Sequence, residues 1–173
     1  MVEVIFFVLS LSFSAYAEKS QPVPFEIVSS PIFSYKEMPK TILQGKISKN
    51  FTGITIVDFW ASWCVPCKDS FGFYEKLLKS PRWKNHLRVI AVNLDEEKKI
   101  AVDFLKRNKV SFTVIWDGKK KFASKLGVLV LPTAYFVRSN GYFIDRKGFT
   151  AKQIPEIEKT LENFDSHPIK KKK

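Results

Sequence analysis

Both cysteines of the chain sit in one four-residue stretch, Cys64-Val65-Pro66-Cys67. The stretch follows an apolar run, Ile54 to Trp60, and precedes a helical-looking segment. Two thiols at i and i+3, at a strand-to-helix junction, can close a disulfide with each other and open it again. Cysteines so close in sequence enclose almost no loop, so the pair makes a poor structural staple. It reads as a working redox pair. At a helix N-terminus, free backbone N–H groups and the macrodipole favour an anion. That lowers the pKa of Cys64 and raises its thiolate fraction, the form that attacks. Cys67, one turn on and more buried, resolves the mixed disulfide. Other chemistries need partners. A structural zinc site takes about four ligands, and the two histidines, His86 and His167, lack a paired spacing. Lys68 follows Cys67, so the Cys-x-x-Cys-His haem signature is absent. The dithiol could instead serve as soft ligands for copper, but the methionine beyond the initiator is the distant Met38.

Other residues stand near this pair in the pattern. Asp58 is an acid inside an apolar strand, where an isolated carboxylate is costly and its pKa should rise. Six residues before Cys64, it can lie beneath the helix start and take the proton of Cys67, directly or through a water. The alternative is a strand residue turned toward a wet edge. Trp60 and Trp63 are read mainly as packing residues, with Trp63 also a shield for Cys64 and a substrate-contact candidate. Pro66 restrains the helix start. Pro132 is either an ordinary loop proline or a placed one. His86 is read as a surface or packing residue, and no metal site is expected.

The elements that must position these residues follow from periodicity. The run 54–59 reads as a buried central strand. Residues 64–79 read as a helix with Cys67, Phe71, Tyr74 and Leu78 on one face, ended by Ser80-Pro81. A second buried strand covers 87–94. An amphipathic helix covers 96–108, with Ile100, Ala101, Phe104 and Leu105 toward the core. A strand over 110–116 ends at Asp117-Gly118, and a short helix over 119–126 is capped by Gly127. Strands 133–138 and 142–147 flank the hairpin signal Ser139-Asn140-Gly141. A last helix is expected over about 153–164. Parallel strands joined by crossover helices, with an antiparallel edge, imply an α/β fold with a mixed central sheet covered on both faces.

Composition agrees with one globular domain: 173 residues, 45% hydrophobic and 14% aromatic. The net charge of +12 is spread along the chain without a nucleic-acid motif, so a solvated basic surface is expected rather than nucleic-acid binding. At the N-terminus, an apolar core from Val4 to Leu11 precedes Ala15-Tyr16-Ala17, a small-x-small cleavage pattern. Residues 1–17 are therefore read as an export signal, with an uncleaved anchor as the alternative. Residues 18–50 read as an N-terminal extension with a linker and a short extended or hairpin segment. Residues 51–165 form the redox domain, and 166–173 a basic tail. In an oxidising compartment disulfides persist.

The stretch Asp58-Phe59-Trp60-Ala61-Ser62-Trp63-Cys64-Val65-Pro66-Cys67, together with Leu131-Pro132-Thr133 and Gly148, resembles the thioredoxin superfamily. The export signal, the N-terminal extension and the extra segment over 110–125 make the chain more similar to its exported TlpA/ResA branch. The resemblance covers 54–164 and implies a thioredoxin fold. It implies a cis peptide before Pro132, opposite the cysteines. There the Leu131 backbone would pair with an extended substrate segment. It also implies a thiol:disulfide oxidoreductase that delivers reducing equivalents outside the cytoplasm, for instance to apocytochrome c or to copper-site assembly proteins. Such a protein would need a membrane electron donor, would carry no bound cofactor, and would act as a monomer on protein thiols and disulfides. Two positions depart from the branch. Ser70, beside Asp69, stands where a Glu is usual, and Asp58 where many members have Asn. An oxidase or isomerase, or a copper-binding assembly chaperone, are the other readings of the same dithiol.

Overall fold

The computed structural model describes residues 27–28, 35–48, 50–138 and 143–146, with positions 159 and 161. Its strands are β1 (Ile27–Val28), β2 (Ile42–Gln44), β3 (Ile54–Trp60), β4 (Leu87–Asn93), β5 (Thr113–Trp116), β6 (Thr133–Arg138) and β7 (Phe143–Arg146). Its helices are α1 (Val65–Lys79), α2 (Lys98–Arg107) and α3 (Lys121–Lys125), with a 3-10 turn at Tyr35–Glu37.

The seven strands form one mixed sheet in the order β1-β7-β6-β3-β4-β5-β2. β3 runs parallel to β4, and β4 to β5, while β6 pairs antiparallel with β3. Every residue of β3 is buried, as a central strand covered on both faces requires. Its side chains alternate. Ile54, Ile56 and Trp60 join the core beneath α1 and α2, whereas Val57 and Phe59 join the core beneath α3 and Met38. The first core is aromatic. Trp60 packs on Phe71 at 5.0 Å and on Phe104 at 4.9 Å between ring centroids, and Phe71 packs edge-on to Phe112 at 5.1 Å. Pairs of this kind are worth about 0.5–1.5 kcal/mol each beyond the area they bury, and they lock α1 to the sheet.

The mixed sheet covered on both faces is the architecture expected from the sequence. Several details differ. The described strands of the N-terminal extension make no hairpin together: β1 pairs with β7 and β2 with β5, at opposite edges of the sheet. On α1 the buried leucine is Leu77, with Leu78 only partly buried. On α2 Ala101, Phe104 and Leu105 face the core, but Ile100 is exposed. The strand expected over 110–116 begins at Thr113. Gly127 follows α3 with φ +68°, the left-handed conformation of a helix stop. The export signal, the turn 139–141, Gly148 and the basic tail lie outside the described residues. Of the last helix only Lys159 and Leu161 are described, both helical, with Leu161 buried in the α1-side core.

Two glycines test this packing from opposite sides. Ile54 N–H donates to His86 O at 2.7 Å, and a Cβ on Gly53 would collide with that same carbonyl. Gly72 lies exposed within α1, where a Cβ meets nothing within 4 Å. Gly53→Ala should therefore cost more than about 2 kcal/mol. Gly72→Ala should add about 0.5–1 kcal/mol by raising helix propensity. Urea unfolding of the two variants checks both signs.

Candidate active site

The register of the sheet gathers the site at one end. β3, β4 and β5 end together, with Trp60 opposite Asn93 and Asn93 opposite Trp116. β6 begins there, with Thr133 opposite Phe59. The loops carrying Cys64, Asp95, Asp117 and Pro132 therefore meet at the carboxyl ends of the parallel strands, where open α/β sheets place their ligands.

Cys64 is the N-cap residue of α1, with extended φ −80° and ψ 99°, and Pro66 lies in the first turn. Cys64 N–H donates to Ala61 O at 3.0 Å, and Cys67 N–H to Cys64 O at 3.2 Å. The sulfurs are joined as a disulfide, with Cα atoms 5.4 Å apart. Cys64 is 4% exposed and Cys67 1%. Both are largely covered, and Cys64 is the more accessible of the two.

Trp63 departs from its expected packing role: it is 70% exposed, as is Val65. Trp60, by contrast, is fully buried, with its indole N–H unpartnered among the described residues. Leu129 and Val130, just before the cis Leu131-Pro132 peptide, are also exposed. Leu131 is partly buried, and Thr133 Oγ donates to Val130 O at 2.6 Å, fixing the turn into β6. Exposed apolar side chains thus occur on both loops of this sheet end.

Asp58 is fully buried on β3, between Ala91 of β4 and Ala134 of β6. Tyr74 of α1 donates its phenol O–H to Oδ1 at 3.1 Å, and Oδ2 has no hydrogen-bond partner among the described residues. Burial pushes the Asp58 carboxyl well above its ordinary pKa, while the Tyr74 hydrogen bond pulls the other way. Tyr74 is itself held well above the ordinary phenol value, first by burial and then by the adjacent carboxylate. The wet-edge alternative for Asp58 is thereby removed.

The loop before Cys64 is tied down by a buried acid that sequence reasoning passed over. Asp95 accepts from Ser62 N–H at 3.1 Å to Oδ2 and from Ser62 Oγ at 3.1 Å to Oδ1. Asn93 Nδ2 donates to the same carboxylate at 2.8 Å, and Trp116 Nε1 donates to the Asp95 backbone carbonyl at 2.7 Å. Ser62 is thus clamped two residues before Cys64. The available signal was the pair Asn93 and Asp95 at the end of an apolar strand, where chemistry-bearing loops begin. Ser70, in place of the branch's usual Glu, lies buried on α1 with its hydroxyl 3.5 Å from Pro66 O. Met38 packs on the opposite face of the sheet from the disulfide.

Comparison with known proteins agrees with this geometry. Residues 36–149 match the AhpC/TSA family. The thiol-disulfide oxidoreductase ResA of Bacillus thuringiensis subsp. konkukian is 30% identical over 135 residues, covering 73% of this chain and 77% of its own. The sporulation thiol-disulfide oxidoreductase A of Bacillus subtilis is 27% identical, and the match spans 59% of this chain and 64% of that relative's length. A solved structure assigned to a DsbE thiol:disulfide interchange protein of Chlorobium tepidum superposes with a TM-score of 0.61 at 31% identity, covering 65% of this chain and 80% of that one. By these matches, and by a disulfide seated at the head of α1, the chain belongs to the AhpC/TSA family and stands among its thioredoxin-like thiol-disulfide oxidoreductases.

Proposed function

We propose that the protein is an exported reductant that passes two electrons from the Cys64-Cys67 dithiol to disulfides of protein substrates, in cytochrome c or copper-site maturation. The observation that carries this reading is the disulfide at the N-terminus of α1 together with a fully buried carboxyl on β3 that the same helix hydrogen-bonds through Tyr74. Cys64 is the attacking sulfur, since it caps the helix and is the more accessible of the pair. Cys67 resolves, and Asp58 takes its proton. Trp63 and the Leu131-Pro132 segment receive an extended substrate strand, with the Leu131 backbone adding to it as in strand addition. Pro66 and Trp60 support the site. Export follows from the apolar segment before Ala15-Tyr16-Ala17. An oxidising compartment would leave the pair oxidised, so a membrane electron donor must recharge it. The remote position of Met38 disfavours a copper-binding assembly role.

The reducing direction has a physical basis. A strongly oxidising dithiol stabilises its thiolate heavily, which favours the reduced form. Here a helix N-terminus contributes only about 0.3–1 kcal/mol. An ionised Asp58 repels a nearby thiolate and opposes its formation.

Trapping tests the assignment of the cysteines. Cys67→Ser should accumulate a mixed disulfide with a substrate protein through Cys64, and Cys64→Ser should lose insulin-reducing activity. Trapping through position 67 in a Cys64→Ser protein that stays active would reverse the roles.

Asp58 gives a stability prediction with a defined sign. Its folded pKa lies above the unfolded one, so its contribution is most favourable at acid pH, below the ordinary carboxylate pKa. That contribution is lost as pH rises through the raised folded value. Asp58→Asn removes the cost of ionising a buried acid. The variant should match the parent near pH 3 and exceed it at neutral pH and above by on the order of 1–3 kcal/mol. It should also slow resolution of the mixed disulfide. Thermal melts from pH 3 to 9 and turnover at pH 7 check both; equal melting curves at every pH would contradict the burial cost.

A further inference from the structure

We propose that Tyr74 is the positioning residue of the proton-transfer step: it holds Oδ1 of Asp58 and leaves Oδ2 as the oxygen that accepts the Cys67 proton. The proposal rests on the reading of Asp58 as that acceptor.

Tyr74 lies two turns beyond Cys67 on the buried stripe of α1 that also carries Phe71. Its oxygen stands 3.1 Å from Asp58 Oδ1, and both residues are 0% exposed. The carboxyl torsion of an Asp is a soft, two-fold rotation. One charge-assisted bond to one oxygen fixes it and directs the other oxygen. That other oxygen, Oδ2, has no hydrogen-bond partner among the described residues.

The surroundings leave this decision to Tyr74. Ala91 of β4 and Ala134 of β6 flank Asp58 in register, and Ile56 and Trp60 precede and follow it on the same face of β3. Phe104 and Leu105 of α2 belong to the same core cluster, and the ammonium of Lys68 lies 5.6 Å from the Phe104 ring centroid. The titratable groups that α1 brings to this core are Tyr74 and, in the reduced protein, the thiols of Cys64 and Cys67. A phenol that donates to a carboxylate favours its ionised form. Tyr74 therefore sets both the direction and the readiness of the acceptor. Its ring packs on Phe73 and Phe112, and a Phe at this position keeps that packing while removing the O–H.

In the mixed disulfide, Cys64 Sγ is bonded to a substrate sulfur. The Cys67 thiol gives its proton to Asp58 Oδ2, and the resulting thiolate attacks Cys64 Sγ. The Cys64–Cys67 bond forms as the Cys64–substrate bond breaks. The electron pair leaves with the substrate sulfur, which is protonated by the proton that Asp58 gives back. The dithiol is oxidised and the substrate disulfide reduced by two electrons.

The test is the pH profile of resolution, read by stopped flow as release of the second thionitrobenzoate when the reduced full chain meets Ellman's reagent. In Tyr74→Phe the midpoint should move up by about one pH unit, with the rate below it about tenfold lower and the rate well above it unchanged. A 13C titration of the Asp58 carboxyl carbon should show the same upward move. If Tyr74→Phe fails to fold, 3,5-difluorotyrosine at position 74, a stronger donor of the same shape, should move both midpoints down. Asp58→Asn and the Asp58→Asn/Tyr74→Phe double variant should give one profile. A Tyr74→Phe profile that overlays the parent, while Asp58→Asn changes it, overturns the role of Tyr74 and leaves Asp58 in place. An Asp58→Asn profile equal to the parent overturns both.

Discussion

A carboxyl group with no access to water, set in the central strand between two alanines, is the constraint around which this molecule is arranged. Burying it is costly, and one hydrogen bond from Tyr74 offsets part of that cost. Small neighbours on β4 and β6 leave room for it, and α1 must lie across it for Tyr74 to reach. The same helix carries the disulfide at its head. The packing of α1 on β3 through Trp60, Phe71 and Phe104 thus serves stability and chemistry together. Moving the helix by one turn would break the Asp58 hydrogen bond and displace the cysteines at once.

The outer side of the site is built on different physics. Ser62 is held by the buried carboxylate of Asp95, itself held by Asn93 and anchored through Trp116. This polar clamp fixes the backbone that presents Trp63 and Cys64, while Trp63 and Val65 stay in solvent. The cis Leu131-Pro132 loop brings Leu129 and Val130 to the same sheet end from β6.

Much of this was legible in the sequence. The run Ile54 to Trp60 is apolar without alternation, which marks a strand buried on both faces, and Cys64 to Lys79 has helical spacing ended by Ser80-Pro81. An acid in the middle of such a strand announces itself. What stayed hidden depends on side-chain direction or distant pairing. An aromatic next to a cysteine reads as core, yet Trp63 projects outward, and Ile100 does likewise on α2. No local pattern tells β1 and β2 to join opposite edges, because strand pairing is decided by what the rest of the sheet leaves open. Tyr74 was visible as a core position, but its partner sixteen residues away was not. The clamp on Ser62 spans thirty-three residues and has no periodic signature.

A carboxyl buried in β3, flanked in register by Ala91 and Ala134 and bonded to the helix that carries the dithiol, withholds the thiolate stabilisation an oxidant needs. The reduction potential of the Cys64-Cys67 pair tests it most directly, by equilibration of the full chain with glutathione or dithiothreitol buffers at pH 7. The account predicts a value near the roughly −270 mV of a thioredoxin-type reductant. A value near −120 mV, about 7 kcal/mol away by the two-electron conversion, would mean a strongly stabilised thiolate and would contradict the account.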